Sequence, residues 1–148
     1  MKASTSTIQK ITLTEIDRLD PITVLIDDMA VGRGSITICC FGKAWTAYWG
    51  AMGDSRIVDF FLNSDVQYIA KNLSSAPFTE IDYGAISKAI DIDVDVTTLM
   101  MHVKEIQNVY GLDWHHCLPE RPTSDYTYLC RIIEAVQEGL ATDLQQQE

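Results

Sequence analysis

Phe41-Gly-Lys-Ala-Trp-Thr-Ala-Tyr-Trp-Gly-Ala-Met-Gly53 carries two of the three Trp residues of the chain and three of its Gly residues within thirteen positions. The stretch lies where the hydrophobic pattern changes. Before it, apolar residues recur every second position. After Gly53 they recur every third and fourth, at Val58, Phe61, Leu62, Val66, Ile69 and Leu73. Period two marks half-buried strands and period 3.6 marks amphipathic helix, so strands end and helices begin here.

Working back towards the N-terminus, Trp45, Ala47 and Trp49 share one face of a strand over 43–49. Ile36, Ile38 and Cys40 do the same over 35–41, and Ile22, Val24 and Ile26 over 22–29. Ile11 and Leu13 alternate over 8–16. Gly32-Arg-Gly-Ser35 links two of these strands, because its glycines reach positive φ at little cost. Short connections predict an antiparallel meander. Working forward, helices are expected over 55–73, with Asp54 or Ser55 as N-cap, over 96–110 with Gly111 as its stop, and over 124–140. Tyr83 to Ile90 reads as a short helix, Asp91-Ile-Asp-Val-Asp95 alternates like a strand, and 114–123 reads as a loop. Residues 1–7 and 142–148 are expected to fray. The fold class is α+β: an N-terminal antiparallel sheet of about four strands, then three or more helices packed on one face, in a single domain over 1–148.

The 148 residues carry a net charge of −10, with 47% apolar and 22% charged residues. This charge opposes binding to DNA, RNA or an anionic membrane, since such binding neutralises phosphates with Lys and Arg. It permits docking on a basic protein surface. The polar N-terminus lacks a signal-peptide pattern and no apolar run is long enough to span a bilayer, so the expected location is the cytosol of the producing cell. The four Cys (39, 40, 117 and 130) do not form a disulfide framework and are expected as reduced thiols.

No catalytic residue, cofactor or metal is expected. His115, His116, Cys117 and Cys130 are ligand types, but they lack the paired short spacings of zinc sites, and the adjacent histidines diverge in an extended chain. Asp91, Asp93 and Asp95 supply the start of a calcium loop, yet Val96 replaces its Gly and His102 its Glu. Neither a Gly-x-Ser-x-Gly elbow nor a His-Glu-x-x-His helix is present. What remains is a binding surface: Trp45, Tyr48 and Trp49, with acidic patches at Asp91, Asp93 and Asp95 and at Glu134 and Glu138. The aromatics read either as core against the first helix or as a contact surface for protein or bases.

At Trp45-Thr-Ala-Tyr-Trp-Gly-Ala-Met-Gly53, and over roughly the first half of the chain, the sequence resembles small proteins of tailed phages and prophages of enteric bacteria. That resemblance implies a phage accessory protein made inside a bacterium, of a kind that binds host machinery or disables host defence. It carries over no catalytic residues. The expected partner is a host protein with a basic surface. A nucleic-acid- or nucleotide-binding factor using Trp45, Tyr48 and Trp49 is the alternative.

Overall fold

A computed structural model describes residues 1–147. The expected meander forms: β1 (Gln9–Leu13), β2 (Ile22–Ala30), β3 (Arg33–Cys40) and β4 (Lys43–Trp49) pair antiparallel in sequence order. Ile22, Val24, Ile26, Ile36, Ile38, Cys40, Ala47 and Trp49 are buried on one face. Cross-strand partners such as Val24 with Ile38 and Ile36 with Ala47 keep that face in register. The opposite face carries Thr23, Ser35, Thr37, Thr46 and Tyr48. There the Thr37 and Thr46 hydroxyls meet at 2.8 Å.

The helix expected over 55–73 is two helices, α1 (Ile57–Asn63) and α2 (Val66–Leu73). Asn63-Ser-Asp65 breaks it, because short polar side chains offer the backbone alternative hydrogen bonds. Ser64 Oγ donates to the Phe60 carbonyl at 2.6 Å, and Ser64 and Asp65 are both extended. The break changes which residues face inward. Phe61, Ile69 and Leu73 are buried as expected, but Ile57 and Ala70 take the other deep positions, while Val58, Leu62 and Val66 are half-buried. Neither Asp54 nor Ser55 is the N-cap of α1; Arg56 is, without a side-chain bond. Residues 52–55 instead turn against the β2–β3 hairpin. Gly32 N–H donates to the Ser55 carbonyl at 2.8 Å, and Met52 N–H to the Gly32 carbonyl at 3.0 Å. A Cβ on Gly32 would meet the Gly53 oxygen at 2.7 Å, and its φ of +81° adds a second reason for glycine.

Further along come β5 (Thr79–Ile81), α3 (Tyr83–Ile90), a 3₁₀ turn at Leu99–His102, α4 (Val103–Tyr110), α5 (Trp114–Cys117), β6 (Glu120–Pro122) and α6 (Ser124–Gln147). The helix expected over 96–110 therefore starts late and opens as a 3₁₀ turn. The segment 114–123 is not wholly loop, since it holds α5 and β6. Asp91–Asp95 forms no strand: Asp91 ends α3 in the left-handed conformation, and the following residues are irregular. The stretch from Thr142 to Gln147 is helical rather than frayed, with Gln147 Nε2 donating to Asp143 Oδ2 at 3.0 Å.

Contacts group the chain into two compact units, Met1–Ala76 with the stretch from Thr127 onward, and Pro77–Tyr126. In the first unit, α1 and α2 pack on the sheet, and α6 touches β1, β3, β4 and α1 through Gly139, Tyr128 and Gln137. Gln137 of α6 donates to the Phe61 and Ser64 carbonyls at 3.0 and 2.9 Å, satisfying the end of α1. Gly139 faces Leu13 so closely that a Cβ there would lie 2.5 Å from a Leu13 methyl. In the second unit Ile86, Val94, Leu99 and Ile106 form a small core.

Candidate functional site

The aromatic segment is divided by the strand that carries it. Successive side chains of β4 point to opposite faces. Trp49 is 6% exposed and sits among Phe60, Phe61 and Tyr68, donating its indole N–H to the Tyr68 hydroxyl at 3.2 Å. Trp45, on the same face, is half-buried and packs on the Tyr128 ring at 6.4 Å. Tyr48 is on the other face and 57% exposed. The three residues therefore do not share a surface, and Trp49 belongs to the core.

The Tyr128 hydroxyl lies 3.4 Å from Cys40 Sγ. That hydrogen bond, with burial adding to it, pushes the Tyr128 phenol from 10.0 up to about 12. At the tip of the β3–β4 hairpin, Phe41 has φ of 48° and is 79% exposed. A two-residue turn of this kind favours Asn or Gly there, so an exposed Phe is a departure from local preference.

The acidic residues also separate into two groups. In the second unit four carboxylates, those of Glu80, Asp82, Asp95 and Glu120, close local structure. Asp82 Oδ1 accepts the Ala85 N–H at 3.0 Å and caps α3. Asp95 Oδ1 accepts from the Thr97 hydroxyl at 2.6 Å, the Thr97 N–H at 2.8 Å, and the Thr98 N–H and hydroxyl at 3.0 and 3.2 Å. These bonds, led by the Thr97 hydroxyl, hold the Asp95 carboxyl below its ordinary value. Glu80 pairs with Arg121 at 3.0 Å, and Glu120 accepts from Thr79 at 3.0 Å. Asp91 and Asp93 are exposed.

In the first unit, Glu134 and Glu138 lie on the wall of an open groove of about 710 Å³ running between β1, the loop after it, and α6. The groove brings Glu15, Asp17 and Asp143 to the same place, opposed by Arg131. Its apolar floor includes Ile11, Leu13, Ile16 and Leu19, all half-buried. Asp17 makes a long contact with Arg18 at 3.9 Å, and Arg131 is turned onto the Arg18 carbonyl at 3.2 Å. Among the described residues, no hydrogen bond or ion pair reaches the carboxylates of Glu15, Glu134 or Glu138. Glu15 and Arg18 both have positive φ, an uncommon state for residues other than glycine.

Sequence reasoning named Glu134 and Glu138 but missed Glu15, Asp17, Arg131 and Asp143. The helical spacing of 131, 134, 135, 138 and 142 marks one stripe of α6 and was legible. Its meeting with residues 11–19 was not, since that rests on long-range packing.

All four cysteines are free thiols. His115 and His116 do not diverge as in an extended chain: α5 brings their rings to 4.1 Å. Among the described residues no three His, Cys, Asp or Glu side chains converge as metal ligands. No helix there is long and apolar enough to cross a membrane.

Fold and groove define an acidic α+β protein with an open, carboxylate-lined channel beside a sheet edge. A family model described as a phage family matches residues 1–142, and the chain belongs to that family. The match extends well beyond the first half, where the resemblance was read. No curated protein and no solved structure matched the chain.

Proposed function

We propose that this phage-family protein is a non-enzymatic accessory protein that acts in the host cytosol, binding and inhibiting a bacterial protein with a basic surface. A nucleic-acid-handling defence complex is the target class that fits best. One observation carries the reading: five carboxylates and one guanidinium line a groove with an apolar floor, and three of those carboxylates have no partner among the described residues. Unpaired carboxylates on a rigid helix attract a basic surface and discriminate against anionic ones. A surface that grips nucleic acid through Lys and Arg is complementary to such a lining.

The alternative, base stacking on Trp45, Tyr48 and Trp49, is disfavoured by their placement. A stacking platform needs exposed rings on one surface beside positive charge. Here one ring is core, two point to opposite faces, and the chain carries a net charge of −10.

The test is a pull-down from bacterial lysate with the wild-type chain and with Glu134→Lys/Glu138→Lys as bait. A protein retained by wild type, released by raised salt and absent from the variant supports the reading. Equal retention by both baits overturns the groove as the binding surface. A gel shift of short oligonucleotides near physiological salt would overturn the preference for a protein partner.

A further inference from the structure

We propose that the outer edge of β1 receives a segment of the partner as an added strand, one whose groove-side residues are apolar and Lys or Arg. The proposal rests on the acidic groove reading and specifies how the partner enters.

β1 is the first strand of the sheet and, among the described residues, pairs only with β2, through an unbroken register from Gln9 opposite Ile26 to Leu13 opposite Ile22. Antiparallel pairing uses the backbone groups of alternate residues, so the remaining N–H and C=O groups of β1 point outward. Among the described residues no backbone bond outside the sheet reaches Gln9 to Leu13. Proteins usually protect such an edge with proline, a bulge, several charges or a covering element. β1 has neither proline nor bulge and a single charge, Lys10. In place of a cover there is the groove, with Thr12 and Leu13 on one side and Glu134 and Glu138 on the other.

An incoming strand would alternate its side chains between the two faces of the sheet. Those on the helix side meet the floor at Ile11 and Leu13, then the carboxylates of α6. Apolar contact and positive charge are what that side selects. A second copy of the chain is a poor occupant, since it would bring an identical carboxylate lining against the first, and like charges oppose such an approach. Nucleic acid is repelled for the same reason. Backbone pairing supplies affinity and the alternating side chains supply selectivity, as in other strand-addition complexes.

The probe is a synthetic peptide of Val-Thr-Lys-Thr repeats, in which Val and Lys alternate along one face and Thr fills the other, long enough to span the five residues of β1 and titrated against the full chain at low salt. Two further forms carry N-methyl groups on alternate amides, one set on each edge of the peptide, and a fourth carries Glu in place of each Lys. Methylation of one edge should weaken binding about tenfold or more, because the backbone bonds to β1 are lost, while methylation of the other edge leaves it unchanged. Amide exchange at Gln9–Leu13 should slow when the unmodified peptide binds. Equal affinity of the two methylated forms would overturn strand addition but leave the charged groove standing. Undiminished binding to Glu134→Lys/Glu138→Lys, equal binding of the Glu-bearing peptide, or no binding of the Lys-bearing peptide would overturn both. A chain that sediments as a dimer, through a contact that slows exchange at Gln9–Leu13 without peptide, would replace the partner with a second copy.

Discussion

Glu80, Asp82, Asp95 and Glu120 in residues 77–126 and the carboxylates lining the β1–α6 groove are the same chemical groups put to different uses. In 77–126 the buried core is small, formed by Ile86, Val94, Leu99 and Ile106, and carboxylates supply caps, turns and cross-strand pairs around it. The sheet unit has a deep core of strand and helix residues, with Phe61, Ile22, Ile36, Ile38 and Ile133 among those fully buried. Among the described residues, no hydrogen bond or ion pair reaches its carboxylates at Glu15, Glu134 and Glu138. A small unit buries too little apolar surface to dispense with local polar bonds, whereas a larger core leaves surface charge available for other purposes. An acidic patch in sequence is therefore evidence for a binding surface only after its local hydrogen bonds are accounted for.

The strongest way to break this comparison is to attack the sheet core. Phe61→Ala should cost about 3–5 kcal/mol in denaturant melts, as for other fully buried aromatics. A loss below about 1 kcal/mol would mean that the sheet unit does not depend on its core as described.

Reversing the groove charges should separate binding from folding. Glu134→Lys/Glu138→Lys should lower the association rate with a basic partner about tenfold at low salt, with less effect at high salt. Stability should change by no more than about 0.5 kcal/mol, because both positions are exposed. A large fall in melting temperature would show that these carboxylates are structural after all.

Acid should then discriminate the two units. Asp95 is held below its ordinary value of 3.8 by the Thr97 and Thr98 bonds. Its stabilising effect is fully present above that value and is lost as pH falls through the lowered one. Amides of 94–99 should lose exchange protection on acidification before those of β2 and β3, and Asp95→Asn should flatten that dependence. Loss of β2 and β3 protection first would invert the comparison.

The smallest effect belongs to the alkaline end. The Tyr128 phenol is raised from 10.0 to about 12, so the contact with Cys40 is intact below pH 10 and is lost as pH rises through about 12. Absorbance titration should show one late tyrosine that disappears in Tyr128→Phe, with little change in stability at neutral pH. A titration without that late component would remove the contact from the description of the sheet unit.

Period two over 22–49 determined the meander and its buried face, down to the placement of Trp45, Ala47 and Trp49 together, because side-chain alternation in a strand is local geometry. The helical stripes at Leu129, Ile133, Val136 and Leu140 were equally legible, as was the net charge of −10. The break at Ser64-Asp65 was written in the residue types but masked by the apolar period running across it. Asp91-Ile-Asp-Val-Asp95 misled because alternation over so short a run does not distinguish a strand from a loop that buries Val94 and half-buries Ile92 while spending Asp95 on the Thr97 and Thr98 backbone. Short strands such as β5 and β6 carry no pattern of their own, since each exists only by pairing with the other. Tertiary structure alone decided that Trp49 is core, that Tyr48 faces away from it, and that Glu15, Asp17 and Asp143 join Glu134 and Glu138. These are contacts between residues far apart in the chain, and local sequence periodicity contains no information about which stripe of α6 meets the edge of β1.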